Sequence, residues 1–190
     1  NEILMFDGAR EVLGIGLQSM GYSLNETDSD RLAQAAQKMN TLMPNIRALI
    51  ADEIKLYMVQ EESKLAITFS GEAAMAMEKN ENLAYYVPEE GSNLWFDCLV
   101  IPTTAQNLTG AHALIDFLLR PDIAARNAEY VGYATPNRQA VDLLDPAISS
   151  DSTFYPSDEL ISHLEVYENL CQDKLIEYND LFLDIKLSNR

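Results

Sequence analysis

Glu90-Gly91-Ser92-Asn93-Leu94-Trp95-Phe96-Asp97-Cys98-Leu99-Val100-Ile101-Pro102 reads as a turn, an apolar strand over 94–101, and a proline stop. Side chains alternate along a strand, so Leu94, Phe96, Cys98 and Val100 share one face and Trp95, Asp97, Leu99 and Ile101 the other. A lone carboxylate in so apolar a run is costly to bury unless it is paired. The only Trp of the chain stands two residues before it. A carboxylate beside an indole face suits an ammonium group, through a charge-assisted hydrogen bond and a cation–π contact. The plainer alternative makes Asp97 a strand-end turn cap and Trp95 ordinary core.

Towards the N-terminus, Asp7 or Gly8 opens a helix over 9–20 that Gly21 stops, with Val12, Leu13, Leu17 and Met20 at helical spacing. Asp7 and Glu11 lie one turn apart, and the ordinary reading makes them an N-cap and a solvated acid that complement the helix dipole. A second helix, capped by Thr27, Asp28 or Ser29, runs to Met43, where Pro44 interrupts it. Leu49–Ala51 is a short strand, and 52–62 is a loop or a helical turn. Leu65–Phe69 reads as a buried strand, 72–79 as a helix and Leu83–Val87 as another strand. Beyond Pro102 the chain turns helical over 109–119 and to Val131. An irregular Gly132–Asn137 loop follows, then a short helix to Leu144, a loop over 145–157 and an amphipathic helix over 165–187. Strands alternating with helices imply an α/β fold.

With 190 residues there is room for one domain or two small lobes, and 47% apolar residues at a mean hydropathy of −0.13 describe a globular chain. The net charge of −17 argues against nucleic acid and anionic membranes as partners and permits a cationic ligand. The chain starts at Asn1 without Met, as a processed chain or a fragment would, so a missing leader says nothing of location. Cys98 and Cys171 stand far apart without a CxxC, which favours two buried thiols over zinc or a disulfide. No phosphate-cradling glycine loop and no nucleophile elbow occurs, and His112 and His163 lack an evident acid or nucleophile partner. Tyr85 and Tyr86 are adjacent on an expected strand, so they would point apart and make no paired-tyrosine iron site. No cofactor, metal or enzymatic constellation is expected.

Four stretches in sequence resemble the spermidine/putrescine-binding proteins of bacterial polyamine ABC transporters. They are Asp7-Gly8-Ala9-Arg10-Glu11-Val12, then Glu90-Gly91 through Leu94-Trp95-Phe96-Asp97, then Ile115-Asp116-Phe117-Leu118-Leu119-Arg120-Pro121-Asp122, and finally Val131-Gly132-Tyr133-Ala134-Thr135-Pro136-Asn137. The likeness continues through Phe154-Tyr155-Pro156 and is to the C-terminal part of such a protein. It implies the type II periplasmic-binding-protein-like fold, two α/β lobes closing on a ligand, here the C-terminal portion only. Residues 1–93 would then be a second-lobe segment and 94–101 a crossing strand. Residues 102–144 would complete the first lobe, and 145–190 would form a loop and helix packing back on the second.

By the same resemblance, Trp95, Asp97, Glu11 and Tyr133 match ligand-contacting positions. Phe69 stands where the family often has Trp, Tyr167 where a Gln is often found, and Gly8 where a second acid is frequent. The implied function is extracytoplasmic capture of a polyamine, spermidine or putrescine, for uptake through a membrane permease. The protein would be periplasmic or extracellular, anchored to the membrane in a Gram-positive. Two alternatives stay open: a structural fragment needing a missing N-terminal lobe segment before it can bind, or a relative that binds another solute.

Overall fold

The computed structural model describes residues 2–188. Its first compact unit takes in the chain up to Trp95 and resumes at Asp158. Strand β1 (Ile3–Phe6) lies at the centre of a parallel sheet, between β2 (Ile46–Ile50) and β3 (Leu65–Ala66). Sequence reading assigns no element to this strand, because four residues are too few to show a period. Its Leu4 and Met5 are both fully buried, as befits a central strand covered on both faces. Helix α1 (Ala9–Gln18) follows β1 directly, and α2 (Ser29–Leu42) begins at Asp28, whose carboxylate accepts from the amides of Asp30 and Arg31. Val12, Leu13 and Leu17 of α1 join Leu32, Ala35 and Met39 of α2 and Met5 in the main core. The two helices approach closely at Gly16, where an added Cβ would stand 3.0 Å from the Ala35 carbonyl oxygen.

After β2 come α3 (Ile54–Val59), which packs against β1 and β3, and α4 (Ser70–Met77). Strand β4 is only Ser92–Asn93. Three expected strands are thus shortened or lost: Leu65–Phe69 contracts to two residues, Leu83–Val87 joins no ladder, and 94–101 is irregular past β4. Strand-like composition does not make a strand without a neighbour to bond. Leu65–Thr68 and Leu83–Val87 instead both line an apolar cavity of about 470 Å³.

The second unit spans Phe96–Ser157. It holds α5 (Leu108–Leu119), α6 (Pro121–Val131), α7 (Arg138–Val141) and α8 (Pro146–Ser149), the last inside the expected 145–157 loop. Its core is small: Ala125, Ala128, Ala140 and Leu144, with Ala124 and Tyr155 against them. Asn137 caps α7, and its side-chain amide donates to the Leu119 carbonyl at 2.8 Å. No residue of α5 is buried.

The chain then re-enters the first unit through α9 (Asp158–Ile161), β5 (Leu164–Glu165) and α10 (Gln172–Ser188). The expected helix over 165–187 starts seven residues late, because Leu164 and Glu165 pair in parallel with β4. The Glu165 carboxylate also accepts from the Leu24 amide at 3.1 Å and from the Ser23 hydroxyl. Tyr178 and Ile185 of α10 are buried in the main core, and the Tyr178 hydroxyl donates to the Glu26 carbonyl at 3.0 Å. The compact units divide at Trp95/Phe96 and Ser157/Asp158, whereas the segments expected from the resemblance end at 93, 101 and 144. The expectation of buried thiols is corrected: Cys98 and Cys171 are both exposed, one in the irregular segment after Trp95 and the other just before α10.

Candidate binding site

Four aromatic side chains follow the carboxyl ends of four parallel strands in the first unit. Phe6 is the last residue of β1, Phe69 follows β3 by three positions, and Trp95 and Tyr167 follow β4 and β5 by two. Parallel strands place their ligands at this end, where chains leave the sheet and loops can converge. Phe6 and Phe69 meet edge-to-face at 5.1 Å between centroids, and Phe69 and Trp95 do so at 5.7 Å. With Tyr85 and Tyr167, these rings line a cavity of about 130 Å³. Glu11, in the first turn of α1, is the only charged residue among the described residues that line it.

Tyr167 is braced from behind. The Arg10 guanidinium lies 4.5 Å from its ring centroid and 5.1 Å from that of Tyr178, and donates to Asn25 Oδ1 at 2.7 Å and to the Leu24 carbonyl at 3.2 Å. Burial pushes the Tyr167 hydroxyl far above its ordinary range, and the nearby Glu11 carboxylate adds to the shift. The ring therefore faces the cavity as a neutral phenol. Burial also raises the Tyr85 hydroxyl. Asp7, the other acid of the α1 entry, does not line the cavity, and Lys186 Nζ holds it at 2.7 Å. One carboxylate facing several aromatic walls can hold an ammonium group and pack rings on an aliphatic stem.

The structure therefore gathers Glu11, Phe69, Trp95 and Tyr167 at one cavity. Asp97 and Tyr133 lie in the second unit, and the expected shared strand face of Trp95 and Asp97 is absent because that strand is absent. Phe6 and Tyr85 were not foreseen as wall residues. A signal for Phe6 existed: it closes an apolar tetrapeptide immediately before the entry to α1.

The family described as bacterial extracellular solute-binding protein matches residues 1–156. The spermidine/putrescine-binding periplasmic protein of Salmonella typhimurium is 37% identical over 186 residues, 98% of this chain and 53% of that protein. Its Escherichia coli K12 counterpart is 39% identical over 163 residues, 86% of this chain and 47% of its own. Among solved structures, a putative spermidine/putrescine ABC transporter protein from Listeria monocytogenes matches with a TM-score of 0.91 and 54% identity, over 98% of this chain and 58% of that one. The spermidine/putrescine ABC transporter substrate-binding protein of Streptococcus pneumoniae matches with a TM-score of 0.91 and 51% identity, over 100% of this chain and 58% of its own. The chain spans about half the length of the curated relatives it matches. A periplasmic-binding-protein α/β fold, with its aromatic cavity at the strand ends and this match over residues 1–156, places the chain in the bacterial extracellular solute-binding protein family.

Proposed function

We propose that this chain is part of an extracytoplasmic protein that captures a polyamine, of the spermidine/putrescine class, and delivers it to the membrane permease of an ABC transporter. The observation that carries the reading is Glu11 as the lone charged group, among the described residues, on a cavity walled by Phe6, Phe69, Tyr85, Trp95 and Tyr167. Glu11 receives one ammonium end, and the rings pack on the methylenes. Asp97 and Tyr133 enter on the family resemblance alone, as a second acid and a further ring for the same ligand. The names of the relatives support both the ligand class and a periplasmic or extracellular setting. In a Gram-positive host the reading adds a membrane anchor. It involves binding and handover, with no chemical step.

Calorimetric titration of the full-length protein with putrescine, spermidine and spermine tests this. Saturable one-to-one binding of at least one of them is expected; heats of dilution alone for all three would refute it. A second reading has its own support. Since α5 buries no residue and Leu65–Thr68 and Leu83–Val87 flank an open apolar cavity, residues 1–190 alone should bind weakly and self-associate. On this reading the relatives' additional length supplies what is needed for tight binding. Submicromolar binding of spermidine by monomeric 1–190 would exclude it.

A further inference from the structure

We infer that Asn25 is a positioning residue of the binding wall, whose side chain pins Tyr167 by bonding the backbone on both sides of it. The geometry stands by itself, and its consequence for ligand rests on the polyamine reading. Tyr167 lies between β5 and α10, in residues 166–171, which belong to no helix or strand. Among the described residues, no backbone group bonds the backbone of 166–168, so side chains must hold it. Asn25, in the loop between α1 and α2, does so. Its Nδ2 donates to the Val166 carbonyl at 2.9 Å, and its Oδ1 accepts from the Glu168 amide at 2.8 Å. A side-chain amide carries one carbonyl and one N–H group like a peptide, and here it takes the place of a neighbouring strand.

The same Oδ1 accepts from Arg10 Nη2 at 2.7 Å, and the Arg10 guanidinium lies on the Tyr167 ring. Arg10 Nε is buried without a hydrogen-bond partner among the described residues, and the ring contact helps to offset that burial. At the tip of the ring, a Cβ added to Gly14 of α1 would stand 3.7 Å from the Tyr167 hydroxyl, so the phenol rests over that helix. Asn25 thus fixes both the backbone of Tyr167 and the cation that stacks on its ring. Just upstream, the Glu165 carboxylate bonds Ser23 and Leu24, which ties the same loop to β5. Tyr167 lines the 130 Å³ cavity and Asn25 does not, so Asn25 acts on the site from outside it. A ring held in this way meets the ligand already ordered, and the entropy of fixing it is lost on folding rather than on binding. Without the pin, that ordering falls to the ligand and affinity drops.

The test uses the full-length protein with Asn25→Ala, Asn25→Asp, Tyr167→Ala and the double variant Asn25→Ala/Tyr167→Ala. Without ligand, nuclear Overhauser contacts between the Arg10 δ protons and the Tyr167 ring are expected in the wild type and should be lost in Asn25→Ala. In calorimetry with putrescine, well below each melting temperature, Asn25→Ala should bind about three- to tenfold more weakly. Tyr167→Ala and the double variant should bind alike, because Asn25 acts only through Tyr167. Asn25→Asp keeps the two acceptor bonds, gains an ion pair with Arg10 and loses the donor to Val166. It should therefore fold, and its affinity should fall between those of the wild type and Asn25→Ala; if Asn25→Ala does not fold, Asn25→Asp decides by the same two measurements. Overhauser contacts retained in Asn25→Ala, losses that add in the double variant, or a lower melting temperature with unaltered affinity would each overturn the inference. If the wild type binds no amine, the polyamine reading falls, and the Overhauser contacts still decide whether Asn25 holds Tyr167.

Discussion

The cavity at the strand ends and the surface of α5 both present large apolar side chains, and they differ in what stands behind them. Phe69 packs edge-on between Phe6 and Trp95, and Tyr167 rests on Arg10. Behind these rings lies a core built from β1, α1, α2 and α10. On α5, Leu114, Phe117 and Leu119 are exposed, and the unit that carries them has only four buried core residues, three of them alanines. Apolar rings braced by a dense core can keep a fixed shape around a charge. Apolar side chains on a helix with no buried residue contribute little to this chain's stability as it stands.

The largest expected effect follows from that contrast. Leu13→Ala, at a site with no exposure, should destabilise the chain by about 2–5 kcal/mol, whereas Leu114→Ala, 59% exposed, should stay within about 0.5 kcal/mol. Urea unfolding of residues 1–190 measures both, and equal losses would erase the distinction between the two regions. Next comes the charge in the cavity. Glu11→Gln in the full-length protein should lower polyamine affinity by about 10- to 100-fold at unchanged melting temperature. Asp97→Asn should do likewise if the second acid belongs to the same ligand, and calorimetry on each variant separates affinity from folding. A lower melting temperature with unaltered affinity would return either acid to a structural role.

Trp95→Leu should weaken all amine ligands alike, by about 0.5–2 kcal/mol, because a ring face contacts cation and stem without measuring length. A change in preference between putrescine and spermine would show instead that Trp95 reads ligand size. The smallest effect concerns pH. Burial raises the Tyr178 hydroxyl to about 12 from its ordinary value of 10.0. The unfolded chain therefore loses this proton first, so the contribution of Tyr178 to stability is complete below pH 10 and declines as pH rises towards 12. Tyr178→Phe should flatten that part of the alkaline unfolding curve; an unchanged slope would place the titration elsewhere.

Much of the architecture was legible because it is local. The helices that open near Asp7–Gly8 and at Asp28, the interruption at Pro44 and the Asn137 cap each announce themselves through residues a few positions apart. Of the six positions to which the family resemblance points, Glu11, Phe69, Trp95 and Tyr167 line one cavity, and Asp97 and Tyr133 lie in the second unit. The strands were the poorer reading. Ile3–Phe6 is central because β2 and β3 bond its two edges, while the more strand-like Leu83–Val87 and the segment after Asn93 find no ladder. Composition, helix caps and the residue types of the site are properties of the sequence itself. Which segments become strands and which rings share a wall depend on partners far apart in sequence, as Arg10 is from Tyr167 and Phe69 from Trp95, and only the tertiary structure supplies them.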